Sequence, residues 1–151
     1  MPAIPYDDLE AALHWVSSSA PFTNAAYISK TDGRVYYHSS SHFAADDELP
    51  DDYEDAAAYW SVPHKNDLDL GRDLVERFTD QRFPESSREV HDIFRHRGAY
   101  SRFKSLLQRL GLLDDWYAYE RAATQAALLD WARENGLSVE LSQSETAPEQ
   151  R

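Results

Sequence analysis

His64, Lys65, Asn66 and Asp67 form the densest run of chemically versatile side chains in the sequence. An imidazole moves protons near neutral pH, and an ammonium binds anions. The run lies where an extended segment ending at Pro63 hands over to a helix. Backbone amides without partners at such a junction favour an anionic ligand. One reading is therefore a small anionic substrate at this junction, with His64 as acid or base. A purely structural reading uses the same residues: Asp67 caps the helix, Asn66 takes an unusual backbone angle, His64 hydrogen-bonds locally and Lys65 is solvated. Capping alone explains two of the four, so the structural reading is preferred.

A second candidate is basic. From Arg88 to Arg109 there are six basic residues and two acidic ones, a net of +4. Arg97, Arg102, Lys104 and Arg109 could contact an anion, a phosphate backbone or an acidic partner. On the predicted helix after Gly98, Arg102 and Arg109 flank one border of the apolar stripe, and Arg97, Lys104 and Gln108 lie near the other. Charges placed in this way usually cover the margins of a buried face.

Other chemistry is scarce. There is no cysteine, which removes disulfides, thiolate nucleophiles and cysteine-ligated metal sites. No glycine-rich phosphate loop, dinucleotide fingerprint or G-x-S-x-G elbow occurs. His38 and His42 are four apart beside Asp46 and Asp47, but in a stretch that reads as strand running into loop. His91 and His96 are five apart, which is wrong for one helical face. Neither a metal site nor a cofactor is expected.

The charge balance is 15 basic against 27 acidic residues, or −12. Asp46, Asp47, Glu48, Asp51, Asp52, Glu54 and Asp55 fall in one stretch without a basic residue; without them the balance is 20 against 15, or −5. A global −12 disfavours polyanions and membrane surfaces. The acidic run reads as a solvated loop over 40–55. Its sharper alternative is a docking strip for a basic partner, or a flap over the chain's own basic region.

These residues need elements to position them. With 151 residues and 42% hydrophobic content, one domain with a real core is expected over 1–141, with a polar, disordered tail over 142–151. Tyr6, Leu9, Leu13 and Val16 predict a helix over Tyr6–Ser17, with Asp7 and Glu10 as a capping pair. Ala25–Ser39 predicts a hairpin turning at Asp32-Gly33, with Lys30 opposite Val35 and Ile28 opposite Tyr37. Its apolar face is Ala26, Ile28, Val35 and Tyr37; Tyr27, Ser29, Tyr36 and His38 face the other way. A third short strand follows over 58–63, with Trp60 and Val62 on one face and Pro63 holding it to an edge.

Helices take up the remainder. Asp67 or Asp69 is expected to cap a helix carrying Leu70, Leu74, Val75 and Phe78, stopped by Pro84. Ser86 and Glu89 predict a capping box for a short helix with Val90, Ile93 and Phe94 inward. Tyr100, Phe103, Leu106, Leu107 and Leu110 stripe the next, between Gly98 and Gly111. A long last helix runs from Asp114 or Asp115 through Trp116, Tyr119, Ala123, Ala127 and Trp131 to Asn135, capped by Gly136. Residues 137–141 form a short extended segment. The fold class is α+β: helix-rich, with a small antiparallel sheet followed by about four helices. Strands followed by helices, without alternation, argue against a parallel sheet.

Several of these motifs occur together in one order. Pro63-His64-Lys65-Asn66-Asp67-Leu68, Gly71-Arg72, Leu74-Val75, Gly98-Ala99-Tyr100, Arg102-Phe103-Lys104, Gly111-Leu112-Leu113-Asp114 and Trp116-Tyr117 resemble the bacterial uncharacterised protein family 0158 over about residues 5–141. The resemblance implies a cytosolic bacterial protein of one domain. It implies no activity, cofactor or catalytic residue. His64, Lys65, Arg102 and Lys104 match its pattern without acquiring a role from it.

The leading expectation is a cytoplasmic, non-enzymatic interaction or regulatory domain that engages a protein partner or itself through segregated charge. An enzyme at His64–Asp67, with Arg102 or Lys104 as anion clamp, is the alternative, and nucleic-acid binding through 88–109 is a further one. No apolar run is long enough to span a membrane. The opening Met1–Pro5 has neither the basic flank nor the apolar stretch of a signal peptide.

Overall fold

A computed structural model of the chain describes residues 3–18, 23–39 and 49–141. The elements run β1 (Ala3–Pro5), α1 (Tyr6–Ser17), β2 (Asn24–Ser29), β3 (Val35–Ser39), β4 (Tyr59–Ser61), a 3-10 turn (Lys65–Leu68), α2 (Arg72–Arg82), a second 3-10 turn (Pro84–Ser86), α3 (Ser87–Ile93), α4 (Ala99–Leu110), α5 (Leu113–Asn135) and β5 (Ser138–Glu140). The architecture is α+β and helix-rich, with a small antiparallel sheet. Two compact units arise: Met1–Leu68 with Ala127–Arg151, and Asp69–Ala126.

In the first unit β2 is the central strand, flanked by β3 and β4, both antiparallel to it. The hairpin register differs from the expected one by two residues: Ile28 pairs with Val35 and Ala26 with Tyr37. The turn itself explains the change. Ser29 Oγ accepts the N–H groups of Thr31 and Asp32, Asp32 Oδ1 accepts that of Arg34, and Gly33 sits at φ 78°. These bonds satisfy a four-residue loop, Lys30 to Gly33, rather than a two-residue one. A shift of two preserves the side-chain faces, so Ala26 and Ile28 still point into the core.

Helix α1 buries Tyr6, Leu9, Leu13 and Val16, the stripe its spacing predicts, together with Ala12. Its cap is not the expected pair, because Pro5 occupies the N-cap position with no side-chain bond. Asp7 and Asp8 instead place negative charge at the positive end of the helix dipole. Trp15 fixes α1 to the hairpin: its Nε1–H donates to the carbonyls of Ala25 (3.0 Å) and His38 (3.1 Å). Trp60 and Val62 are buried, and Trp60 Nε1 donates to Asn135 O at 3.0 Å.

Strand β1 pairs with β5 in parallel, placing Ile4 opposite Val139. Sequence order argued against parallel pairing, and this two-stranded piece is the correction. It escapes that argument because all the helices lie between its strands.

In the second unit an aromatic core forms around Phe78 and Trp116 (5.2 Å between centroids), with Phe103, Phe83 and Tyr119 against them. Leu74, Val75, Val90, Leu106 and Leu107 complete it. Each such side chain contributes roughly 1.5–3 kcal/mol on burial. Two expected caps are absent. Helix α2 starts from Gly71 rather than Asp67 or Asp69, and Ser86 makes no side-chain cap bond at α3. Leu110 is 45% exposed, although it lies in the predicted stripe. Ile93 and Phe94 are half-buried rather than interior. The expected tail over 142–151 and the acidic residues Asp46, Asp47 and Glu48 lie outside the described residues, as does His42.

Candidate functional site

His64 to Asp67 folds into a self-contained cap in the first unit. Asp67 Oδ2 accepts the His64 N–H at 3.1 Å, and His64 Nδ1 accepts the Asn66 N–H at 3.0 Å. Asp67 at N3 supplies half of a capping box, while the imidazole of His64 accepts at N2 rather than N3. Together they cap the 3-10 turn Lys65–Leu68, whereas the sequence pointed to α2. The backbone N–H of Lys65 donates to Ser17 Oγ at 3.0 Å, which ties the turn to α1. The unusual backbone angle belongs to Asp69 (φ 58°), not to Asn66. One His64 ring nitrogen and the Asp67 carboxylate are thus engaged locally.

The basic candidates lie in the second unit, all four exposed. Arg109 pairs with Glu89 at 3.4 Å. Arg102 lines an open groove with Arg88, Glu89, Asp92 and Ile93 from α3 and His96 from the turn after it, about 480 Å³ in volume. Lys104 leaves the other flank of α4, its Nζ 5.5 Å from the Tyr117 ring centroid. Arg97 stands in the turn before Gly98. The fold brings Arg102 and Arg109 to one side of α4 and sends Lys104 to the other, and it interleaves acidic residues among them.

Between α2 and α3 lies a cleft of about 380 Å³. Val75, Thr79 and Val90 are its buried lining, and Arg72, Glu76, Asp80, Ser87, Arg88 and His91 surround them. The rim groups satisfy one another. Arg72 Nε meets Glu76 at 3.3 Å, Arg72 Nη2 donates to His91 Nδ1 at 3.2 Å, and Ser87 Oγ donates to Asp80 at 3.3 Å. Nearby Tyr100 is held above its ordinary 10.0 by burial and then by Glu120, with Arg72 opposing. Sequence spacing could not reveal the cleft, because it joins residues of two helices that meet only on packing.

The strongest concentration of perturbed groups is elsewhere, on the outer face of the three-stranded sheet. Tyr27 and Tyr36 are cross-strand partners, and Tyr59 lies beside Ser29 on the same face. Tyr36 and Tyr59 pack edge to face at 6.3 Å. Tyr53, from the acidic stretch, packs on Tyr27 at 5.1 Å. The stretch reaches it through turns closed by Tyr53 N to Pro50 O (3.2 Å) and Asp55 N to Asp52 O (2.9 Å). Residues 51–55 are therefore turn structure that sets Tyr53 against the sheet, with Asp51, Asp52, Glu54 and Asp55 exposed to solvent. Lys30 Nζ donates to Ala56 O at 2.8 Å and clips the hairpin to the same segment.

Comparison with family models, with curated proteins and with solved structures finds no match.

Burial and nearby carboxylates together shift the tyrosines of that face. Tyr53 is raised above 10.0 first by the charge of Glu54. Tyr27 is raised by burial, then by Tyr53 and Glu54. Tyr59 is raised by burial and by donating its hydroxyl to Asp52, with Asp32 adding to the effect. The carboxylate part of these shifts, foremost at Tyr53, reports negative potential beside the rings. The signal available in the sequence was the placement of Tyr27 and Tyr36 on the non-core face of the hairpin.

Proposed function

We propose that the chain is a non-enzymatic interaction module that recruits a basic protein partner to its first unit. One observation carries this reading. Residues 1–68 and 127–151 hold 5 basic and 17 acidic residues, a net of −12, whereas residues 69–126 hold 10 and 10, a net of zero. The whole excess charge of the chain belongs to one unit. Its field would concentrate a cationic partner there and accelerate encounter.

The other readings have less support. His64 is held in a local cap through Nδ1, which leaves Nε2 for proton transfer, but neither cleft described above is lined by it. A nucleic-acid surface would draw on the +4 of residues 88–109, but residues 69–126 as a whole are neutral and Arg109 is already paired. A second copy supplies no net positive unit to meet the negative one. The resemblance to the bacterial family belongs to the same proposal and adds no activity to it.

Titration of the full chain with an octalysine peptide, followed by amide NMR shifts, tests the proposal. Shifts should gather within 3–68 and 127–141. Binding should weaken strongly between about 50 and 200 mM salt. No shifts at low salt, or shifts of equal size across 69–126, would overturn it.

A further inference from the structure

We propose that the tyrosine face of the three-stranded sheet is a docking surface for arginine side chains of a basic protein segment, and that Arg34 of the chain itself occupies one of its positions in the free molecule. The inference rests on the recruitment reading above and names the recognition site within it.

Four half-buried rings, Tyr27, Tyr36, Tyr53 and Tyr59, share the side of the sheet opposite to buried Ala26, Ile28 and Trp60. Exposed Glu54 acts on Tyr27 and Tyr53, and exposed Asp52 and Asp32 act on Tyr59. Aromatic faces attract cations through their quadrupole, and adjacent carboxylates deepen the same potential. The chain demonstrates the fit: the Arg34 guanidinium lies over the Tyr36 ring, 4.7 Å from its centroid. Arg34 answers three carboxylates with one charge, so the face retains negative potential for an external cation.

Arginine suits this surface better than lysine. A planar guanidinium can stack on a ring while its edge donates to a carboxylate, and it is less strongly hydrated than an ammonium. Bases of a single-stranded nucleic acid could stack on tyrosines too. Their phosphates would then face Asp32, Asp52 and Glu54, inside the unit that carries all of the net −12.

Amide NMR titration of the full chain with tetra-arginine, with tetralysine and with a single-stranded oligonucleotide tests the assignment. Tetra-arginine should shift β2, β3 and residues 51–59, and tetralysine should bind about three- to tenfold more weakly. Tyr36→Leu should weaken tetra-arginine by about three- to thirtyfold, and Tyr36→Phe, which keeps a ring, should largely preserve it. Arg34→Gln should strengthen binding by vacating the ring. Arg133→Gln, which removes the same charge elsewhere in the unit, should do so less. The Arg34 comparison stands even if Tyr36→Leu fails to fold. Equal binding of both peptides, with no difference between Arg34→Gln and Arg133→Gln, would overturn this inference and leave charge-driven recruitment intact. Binding of neither peptide would overturn both. Preference for the oligonucleotide would overturn the choice of occupant.

Discussion

The indole of Trp116 meets the ring of Phe78 edge to face at 5.2 Å, yet among the described residues its buried Nε1–H has no acceptor. Phe103 contacts the same indole, also at 5.2 Å. The side chain therefore serves this core through its volume, and its polar atom is a liability. Trp116→Phe removes an unpartnered donor that costs roughly 1–3 kcal/mol. It also leaves a small void with a cost of similar size and opposite sign. Urea unfolding should place this variant within about 1 kcal/mol of the parent, whereas Trp116→Ala should lose about 3–5 kcal/mol. A loss above about 2 kcal/mol for Trp116→Phe would mean that the N–H is satisfied after all.

His64 and Asp67 should behave as a cap. Asp67→Ala removes the acceptor of the His64 N–H and should cost about 0.5–2 kcal/mol of stability. Asp67→Asn keeps an acceptor oxygen and should recover most of that. Urea unfolding of the pair checks the ordering. Equal losses for the two variants would show that the carboxylate charge, rather than the hydrogen bond, holds the turn.

Periodicity made much of this fold legible. Helix α1 and the Gly98 and Gly111 boundaries of α4 follow from apolar spacing and glycine placement, because both are local properties of the chain. The hairpin register was not legible. Asp32-Gly33 signals a tight turn, but Ser29, three residues before Asp32, reorganises the loop with its hydroxyl. The β1–β5 pair was missed because Ala3–Pro5 is three residues long and ends in proline. Its partner lies more than a hundred residues away. The tyrosine face was half visible. Alternation put Tyr27 and Tyr36 together, but Tyr53 joins them only through turns that an acidic stretch does not advertise.

The tyrosine face should show itself in alkaline titration. Tyr27, Tyr53 and Tyr59 all bind their protons more tightly when folded than the ordinary 10.0. Their contribution to stability is whole below that value and is lost as pH rises through the folded values. Phenolate absorbance should therefore grow later in the native protein than in denaturant. Glu54→Gln should bring Tyr53 back furthest, since Glu54 is its largest perturbation, and Tyr27 less. Asp32 is the opposite case. Hydrogen bonds from the Arg34 N–H and then from Ser29 hold it below 3.8. Its contribution is present above 3.8 and is lost as pH falls through the folded value. Asp32→Asn should flatten that acid limb. Identical native and denatured tyrosine titrations would remove the negative potential assigned to the face.

Gly111 ends α4 in the left-handed region, at φ 73° and ψ 24°. The N–H of Leu112 reaches Leu107 O at 2.8 Å, and that of Gly111 reaches Gln108 O at 3.2 Å. Both last-turn carbonyls are thereby satisfied in a Schellman motif. A Cβ placed on Gly111 would meet nothing within 4 Å, so substitution there carries a backbone penalty without a clash. Gly111→Ala should cost about 1–2 kcal/mol by thermal or urea unfolding. Gly111→Asn should cost less, because asparagine tolerates this conformation. D-alanine introduced by semisynthesis supplies the same methyl group with the opposite hand. It favours positive φ and narrows the unfolded ensemble, so it should stabilise by about 0.4–1 kcal/mol. If L- and D-alanine proved equally destabilising, the cost would have to come from a steric contact, and the open space beside Gly111 would be refuted.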